Sequence, residues 1–477
     1  MELSISNKLI ITNASSELFE WCRKELEFPN PEYAKKEKMG LWTGNDEPVI
    51  VLWELRGNDV ILPYGVLTKL EEAFPDLFDM HYYDFTGTGF KIFQTGHIDY
   101  QSNIELFDYQ EEALTEASLY RSGVIVMPCG SGKTQTALEL VARLGLRTLW
   151  LTHTYELLKQ SMDRAKECFG IPETEYGTIT NGKINVGKAL TFATVQTMAN
   201  IDLDNYRDYW GCVIVDECHK AVGTPTKLMM FYQVISSLNA RYKYGLTATP
   251  ERNDGLQKCM FALLGNKLCE IPDSVVKKNT VPIKVYQAYS KIYNPEMFDI
   301  VRTDGTIDYT HLINNLCECE ERNKDIAQLV NMLNSTGKTC LVLSDRVSHL
   351  EALRRLVGED YTLQIYSMSG SEKARKARKE CLEKLRKKDI RCLFATYPLA
   401  KEGLDIPTLD CVVLATPKKD RISVIQSCGR AGRRAEGKTE GYVIDYVDTE
   451  CDILFNYSKT RKAIYKSKKY SLEIFER

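Results

Sequence analysis

Val124-Ile125-Val126-Met127-Pro128-Cys129-Gly130-Ser131-Gly132-Lys133-Thr134 reads as an apolar strand, a glycine loop and the first turn of a helix. Gly130 and Gly132 let backbone N–H groups approach phosphate oxygens. A helix opening at Lys133 adds the positive end of its dipole. Lys133 can reach β and γ phosphates, and the Thr134 hydroxyl can ligate magnesium. Pro128, Cys129, Gly130, Ser131, Gly132, Lys133 and Thr134 therefore form the expected phosphate cradle. The longer form of this loop has Gly or Ala where Met127 stands, so the match is to its Gly-x-Gly-Lys-Thr core.

A second stretch supplies acids. Cys212-Val213-Ile214-Val215-Asp216-Glu217-Cys218-His219 is an apolar strand ending in two carboxylates. Asp216 is placed to hold magnesium through water, and Glu217 to polarise an attacking water. Phosphoryl transfer needs both roles, because the protein contributes positioning and charge stabilisation. An acid pair after a strand is weak by itself. About 80 residues beyond a glycine loop of this kind, in alternating strand and helix texture, it is a strong signal.

That texture sets the fold class. The runs Gly123–Met127, Thr148–Leu151, Leu190–Thr194, Cys212–Val215 and Tyr244–Thr247 are each followed by a turn and an amphipathic segment. Short apolar strands alternating with helices predict an α/β fold with a parallel sheet. The texture returns at Thr339–Ser344, Tyr361–Tyr366, Cys392–Thr396, Cys411–Ala415 and Gly441–Tyr446. The expected organisation is a small α+β module over 1–103 and a first α/β domain over 104–275. A second covers 276–447, with 276–322 as linker or insert, and a basic, aromatic, helix-prone tail covers 448–477.

Composition narrows the class. The 477 residues carry 62 Lys and Arg against 65 Asp and Glu, a net charge of −3, with 44 % hydrophobic residues. This excludes disorder as the main state, which needs low hydrophobicity and high net charge. With 29 Gly and 15 Pro the chain is not collagen-like. No apolar run approaches the ~18 residues of a membrane span, and no secretory signal is read at the start. The 15 scattered cysteines fit reduced thiols in a cytoplasm better than a disulfide framework. Cys317 and Cys319 have no second pair at metal spacing, so no zinc site is expected.

At Asp216-Glu217-Cys218-His219 the chain resembles the superfamily 2 helicases of the DEAD/DEAH type, with a DECH box. The other motifs come in order. Leu106-Phe107-Asp108-Tyr109-Gln110 resembles the upstream adenine-reading motif, which implies Gln110 on the base edge. Phe107 stands where relatives often have Arg. Thr152-His153-Thr154 and Thr194-Val195-Gln196 resemble the strand-contacting motifs, and Leu246-Thr247-Ala248-Thr249-Pro250 the coupling motif. In the second α/β region Leu343-Ser344-Asp345-Arg346, Ala395-Thr396 with Glu402-Gly403-Leu404-Asp405, and Gln426-Ser427-Cys428-Gly429-Arg430-Ala431-Gly432-Arg433 resemble the fourth, fifth and sixth. The resemblance spans about 104–447 and implies two RecA-like domains with ATP and magnesium between them.

The resemblance also implies site residues. Lys133, Glu217, Gln426, Arg430 and Arg433 are implied in catalysis. Gln110, the loop, Asp216 and Asp405 bind ATP, while Thr134 and Asp216 hold magnesium. Thr247 and Thr249 couple hydrolysis to motion. Arg430 and Arg433, three residues apart, are expected on one helical face. Arg433 is the expected arginine finger, a group worth about 10³–10⁵ in rate.

Hydroxyl and amide side chains at strand ends suit backbone phosphates, where contacts position without reading sequence. Thr152, Thr154, Thr194, Gln196, Ser344 and Thr396 are the nucleic-acid candidates. The basic run Lys373–Arg391 reads first as a solvated helix face. In the tail, Lys459–Lys469 with Tyr457, Tyr465 and Tyr470 either stacks bases or packs on the second domain. Asn30–Tyr33, Met39–Trp42, Val49–Leu55 and Leu62–Leu67 resemble the N-terminal module of phage UvsW-like and XPB-like helicases. Thr249–Gly255 resembles their extended coupling motif. That resemblance implies branched or duplex DNA as partner, with Lys35, Lys36, Lys38 and Trp42 as candidate contacts. An RNA helicase, the motor subunit of a restriction or defence assembly, and a binding scaffold with a dead ATP site are the alternatives. No nuclease cluster is seen, and the intact Lys133, Asp216, Glu217 and Arg433 speak against the scaffold.

Overall fold

The computed structural model describes residues 1–44, 46–79, 97–128, 130–180, 182–222, 224–248, 250, 254–272, 275, 280–290, 308–358, 362–365, 380, 383–385, 387, 389–398, 406 and 408–475. The chain divides into two compact units, Met1–Pro272 and Asp273–Arg477.

The first unit opens with β1 (Glu2–Ile5) and β2 (Lys8–Thr12). In β2 the buried residues alternate, Leu9 and Ile11 inward, as a half-buried strand requires. Helix Ser16–Leu26 is capped by the Ser15 hydroxyl, which accepts the Leu18 N–H at 3.2 Å. It buries Leu18, Cys22 and Leu26, one residue per turn. Two short strands, β3 (Glu27–Pro29) and β4 (Val49–Val51), pair antiparallel around helix Pro31–Lys38. That helix buries none of its residues. β5 (Glu54–Arg56) and β6 (Asp59–Pro63) complete an antiparallel sheet in the order β1-β2-β6-β5.

This module shares its core with the rest of the unit. One apolar cluster runs from Leu3 and Ile11 through to Met260 and Leu264. The Asn7 amide donates to the Ser236 carbonyl, and the Tyr232 hydroxyl to Glu54 at 3.1 Å. Gly65 lies so close to helix Gln257–Leu264 that a Cβ there would sit 2.5 Å from the Gly265 nitrogen.

The parallel sheet of this unit has β7 (Ser122–Val126), β8 (Thr148–Thr152), β9 (Tyr176–Thr180), β10 (Lys183–Asn185), β11 (Leu190–Thr194), β12 (Cys212–Val215), β13 (Tyr242–Thr247) and β14 (Lys267–Glu270). Their order is β10-β9-β11-β8-β12-β13-β7-β14, and only β10 runs antiparallel to its neighbour. The five expected strands are present. β9, β10 and β14 are additions that the sequence reading did not mark.

Beneath the N-terminal module lies a buried cation. Lys243 of β13 is fully buried, its Nζ donating to the Ile235 carbonyl at 3.0 Å and lying 5.5 Å from the Tyr64 ring centre. Burial pushes its pKa down to about 7. Between pH 7 and the ordinary lysine value the unfolded chain then binds the extra proton, so stability rises with pH across that window. Below pH 7 the burial penalty is present in full. Lys243→Met is expected to raise the melting temperature at pH 7 by about 2–4 °C. Melting curves from pH 6 to 10 check this: variant and wild type should converge at the alkaline end, and a pH-independent gap would contradict the assignment.

The second unit is an all-parallel sheet of β15 (Ile283–Ser290), β16 (Cys340–Ser344), β17 (Thr362–Ile365), β18 (Cys392–Thr396), β19 (Cys411–Leu414), β20 (Gly441–Asp448) and β21 (Ser471–Ile474). The order is β17-β18-β16-β19-β20-β15-β21. The fold is α/β with two RecA-like sheets. Two expectations change here. The segment read as linker or insert supplies β15, which pairs with β20 along eight residues. The tail is not purely helical: after helix Asp452–Ser467 the chain adds β21 beside β15. Tyr465 is wholly buried and Tyr470 packs on it, so the packed reading of the tail holds over base stacking. Most of the basic run Lys373–Arg391 lies outside the described residues.

Among the described residues no helix is long and apolar enough to cross a membrane, and no cluster of His, Cys, Asp and Glu is suited to a metal. The described cysteines form no disulfide.

Candidate active site

Register brings the motifs of the first unit to one edge. Val126 stands opposite Thr247, Val215 opposite Gly245 and Leu151, and Thr194 opposite Thr152. Because these strands are parallel and in step, their carboxyl ends align, which is where open α/β sheets bind ligands. Two bonds extend the alignment: the Met127 N–H donates to the Thr247 carbonyl and the Asp216 N–H to the Leu151 carbonyl, both at 2.9 Å.

The glycine loop lies after β7 at that edge. Gly130 and Gly132 have φ of +81° and +79°, a region where only glycine rests without strain. Helix Lys133–Leu144 starts directly after, and the Gly132 carbonyl accepts the Thr136 N–H at 3.0 Å. The Ser131 carbonyl is gripped twice, by the Tyr109 hydroxyl at 3.1 Å and by Gln110 Nε2 at 2.9 Å. Gln110 Oε1 accepts the Phe107 N–H at 2.9 Å, satisfying a backbone donor at the start of helix Asp108–Ser118.

The acids complete the group. Asp216 is buried; its Oδ1 accepts the Glu217 N–H at 3.0 Å and its Oδ2 the Ser161 hydroxyl at 3.4 Å. Glu217 is left-handed, with φ +49° and ψ +49°, at about 1–2 kcal/mol for a residue with a Cβ. Its Oε1 lies 4.0 Å from Lys133 Nζ, and its Oε2 lies 3.4 Å from His219 Nδ1. His219 Nδ1 is also 2.8 Å from Thr247 Oγ1. Lys133, Glu217, His219 and Thr247 thus form one polar chain. Burial and the Glu217 charge push Asp216 up to about 6. Glu217 goes the other way: burial raises it, but Lys133, His219, Lys220 and His153 outweigh that and bring it down to about 2. At neutral pH Glu217 is an anion in a half-buried place.

These residues fit a magnesium nucleotide. The loop presents left-handed glycines, Lys133 and a helix N-terminus to phosphate. Glu217 Oε2 and Ser131 Oγ are buried without a hydrogen-bond partner, so acceptor and hydroxyl capacity remain for a ligand or its water. Thr134, in the first helical turn, is half-buried and Asp216 lies at the strand end, the two groups that would hold the metal. Held there by Thr134 and Asp216, magnesium would supply charge to offset that of the phosphates.

The strand-contact candidates divide. Thr152 and Ser344 are both wholly buried, Thr152 Oγ1 donating to the Thr154 carbonyl at 2.8 Å and Ser344 Oγ lying 2.9 Å from His349 Nδ1. Neither hydroxyl reaches the surface. Thr154 and Thr194 cap helices, accepting the N–H of Leu157 and Thr197. Gln196, in the short helix Val195–Met198, and Thr396, at the end of β18, are half-buried. Trp42 is 87 % exposed, and Lys36 pairs with Asp46 at 2.5 Å.

In the second unit, helix Arg421–Ala431 buries Gln426 and carries Arg430 in its last turn. Arg433 is not on that helix, which corrects the single-face expectation. The helix stops at Gly432, and Arg433 forms an isolated antiparallel bridge with Thr280. Glycines at 429 and 432 weaken the last turn. Cys129, Thr249 and Asp405 lie outside the described residues, as does most of the extended coupling motif. The sequence reading missed Ser161, His153 and His219 around the acids. Only the adjacency of His219 to the acid pair signalled one of them.

A phosphate loop, a strand-end acid pair and two parallel sheets define a P-loop nucleoside triphosphatase built from two RecA-like units. Residues 103–252 match the family model for the res subunit of type III restriction enzymes, and residues 321–435 match the helicase conserved C-terminal domain. Between them they take in more than half of the chain, which belongs to the superfamily 2 helicases. It is 29 % identical, over 74 % of its length and 65 % of the relative's, to a putative ATP-dependent RNA helicase of Acanthamoeba polyphaga mimivirus. It is 24 % identical to the DNA 3'-5' translocase XPB2 of Sulfurisphaera tokodaii, over 70 % of this chain and 80 % of that one. Among solved structures, Dbp5 of S. cerevisiae bound to RNA is similar in fold, with a TM-score of 0.55 at 17 % identity, over 79 % of this chain and 90 % of that one. The chain spans just under two thirds of the length of the first curated relatives it matches.

Proposed function

We propose that the chain is an ATP-dependent DNA helicase or translocase that unwinds or remodels branched or duplex DNA. The observation that carries the ATPase reading is the half-buried carboxylate of Glu217 held 4.0 Å from Lys133 at the carboxyl edge of a parallel sheet. Lys133 binds the β and γ phosphates, Thr134 and Asp216 hold magnesium, and Glu217 takes the proton of the attacking water. Gln426 and Arg430 support the phosphates and Arg433 acts as the arginine finger. The His219–Thr247 contact is a route by which the state of the acids reaches β13. Residues 1–103 act as the DNA-recognition module of the motor. The many buried thiols suit a reducing cytoplasm. Partner proteins of a repair, recombination or defence assembly are part of the same reading.

DNA is favoured because, of the two curated relatives named above, the one whose length this chain covers more fully, 80 % against 65 %, is named a DNA translocase. RNA is the second reading, favoured by the name of the mimiviral relative. ATP hydrolysis at low salt separates them, with Lys133→Ala as blank and single-stranded DNA, duplex, forked DNA and RNA of one sequence as additions. Low salt matters because phosphate-driven binding weakens steeply as salt rises. Stimulation by forked or single-stranded DNA is expected. Stimulation by RNA alone selects the second reading, and silence on every substrate overturns both.

A further inference from the structure

Arg433 stands past the end of its helix, and a different segment of the chain takes hold of it. The helix closes at Gly432, whose N–H donates to the Gly429 carbonyl at 3.2 Å. From there the contacts run to the entry of β15. The Val281 N–H donates to the Gly432 carbonyl at 2.9 Å, and Thr280 and Arg433 face each other in their antiparallel bridge. The fit is close. A Cβ at Gly432 would sit 3.0 Å from Ile283 Cδ1, and one at Gly441 would sit 2.0 Å from the Ala431 carbonyl oxygen. Gly441 pairs with Ile283 where β20 and β15 begin, and its N–H donates to the Pro282 carbonyl at 2.9 Å. Residues 431–433 are therefore wedged between residues 280–283 and Gly441. The first of these runs is where the chain enters the second sheet, since the first unit ends at Pro272 and β15 begins at Ile283.

We infer that Thr280 and Val281 are positioning residues for Arg433: the strand that enters the second sheet, and not the helix before the arginine, sets where its guanidinium lies. This rests on the reading above in which Arg433 is the arginine finger. Such a group delivers its gain of about 10³–10⁵ in rate only while it is aimed at the charge that develops on the phosphate. A displacement of about 1 Å can cost about 10²-fold. Thr280 and Val281 bring no charge to the reaction and act through their backbone. Gly432 lets the two segments approach, because any side chain there would push against Ile283.

Steady-state ATP hydrolysis by the full chain, with forked DNA and RNA both present, tests this. Val281→Pro removes the N–H at a strand entry, a place where proline is tolerated. It is expected to lower kcat by about 10–100-fold with KM for ATP and affinity for forked DNA unchanged. In an Arg433→Ala background the same substitution should lower kcat no further, since two changes that act through one group are not additive. Gly432→Ala should also lower kcat, and adding Ile283→Val, which removes Cδ1, should recover most of the loss. That pair keeps the test open if Val281→Pro does not fold. Wild-type kcat in Val281→Pro, or an equal fold-loss with and without the Arg433 guanidinium, would overturn the proposal, as would a Gly432→Ala defect that Ile283→Val does not relieve. Wild-type kcat in Arg433→Ala would instead remove the finger reading on which it rests.

Discussion

Glu217→Gln is expected to bind ATP about as tightly as the wild type and to hydrolyse it about 10²–10⁴-fold more slowly. The amide keeps the size of the carboxylate and the left-handed backbone at 217. What it loses is the capacity to take a proton from water. The lost charge should not weaken phosphate binding, because Glu217 Oε1 sits 4.0 Å from Lys133 and attracts the cation that phosphate needs. Lys133→Ala should show the opposite split, with nucleotide affinity lost first. Titration with a fluorescent nucleotide, paired with single-turnover phosphate release, separates the two. Full hydrolysis by Glu217→Gln would mean that the base lies elsewhere.

The site was readable at this level because its chemistry is written in short contiguous strings. Gly130 to Thr134 cradle phosphate through their own backbone and first helical turn, and Asp216 and Glu217 are neighbours in sequence. The strands that carry them are fully buried and so read as unbroken apolar runs. What could not be read are pairings that depend on register. Gln110 reaches the Ser131 carbonyl across 21 residues and His219 reaches Thr247 across 28. The second exists because β12 and β13 end in step, and the first because helix Asp108–Ser118 lies against the loop after β7. The local bonds of the hydroxyl candidates were hidden for a related reason. Ser and Thr at a strand end serve equally as phosphate ligands and as helix caps, and Thr154 and Thr194 turned out to be caps.

The strands that were missed, or assigned to linker and tail, are the short or amphipathic ones. β14 (Lys267–Glu270) and β21 (Ser471–Ile474) are four-residue edge strands with no buried residue. β15 falls in the segment expected as linker or insert, and nothing local in the sequence marks that it pairs on both sides. Treating 448–477 as an appendage came from its charge, since Lys and Arg normally mark solvated surface. Arg461 breaks that rule because Asp445 waits for it within β20. Arg322 does the same for Asp448, its guanidinium bonding both carboxylate oxygens at 2.7 and 3.2 Å. Each arginine is 16 residues or more from the aspartate it neutralises, and nothing local in the sequence announces such a pair.

Arg461→Ala is accordingly expected to destabilise the second unit by about 3–5 kcal/mol. Arg461 Nε donates to Asp445 Oδ1 at 2.8 Å, and its two terminal nitrogens donate to the carbonyls of Tyr446 and Lys418 at 3.0 and 3.2 Å. The Tyr465 hydroxyl donates to the other Asp445 oxygen at 3.1 Å. The side chains of both ion-pair partners are 1 % exposed. Burial already raises the Asp445 pKa above the usual carboxylate range, and the Arg461 charge is the main force holding it down. Without that charge the folded protein must bury a bare carboxylate or protonate it, while the unfolded chain ionises freely. The unfolded state then binds fewer protons than the folded state across neutral pH, so the variant loses stability as pH rises. Its deficit should be largest at pH 7 and should shrink towards pH 5. Urea unfolding of wild type and Arg461→Ala at both values measures this. Adding Asp445→Asn should recover part of the loss at pH 7, because the amide removes the stranded charge. An equal deficit at both pH values, with no recovery in the double variant, would show that Arg461 stabilises through packing alone and that its pairing with Asp445 contributes nothing.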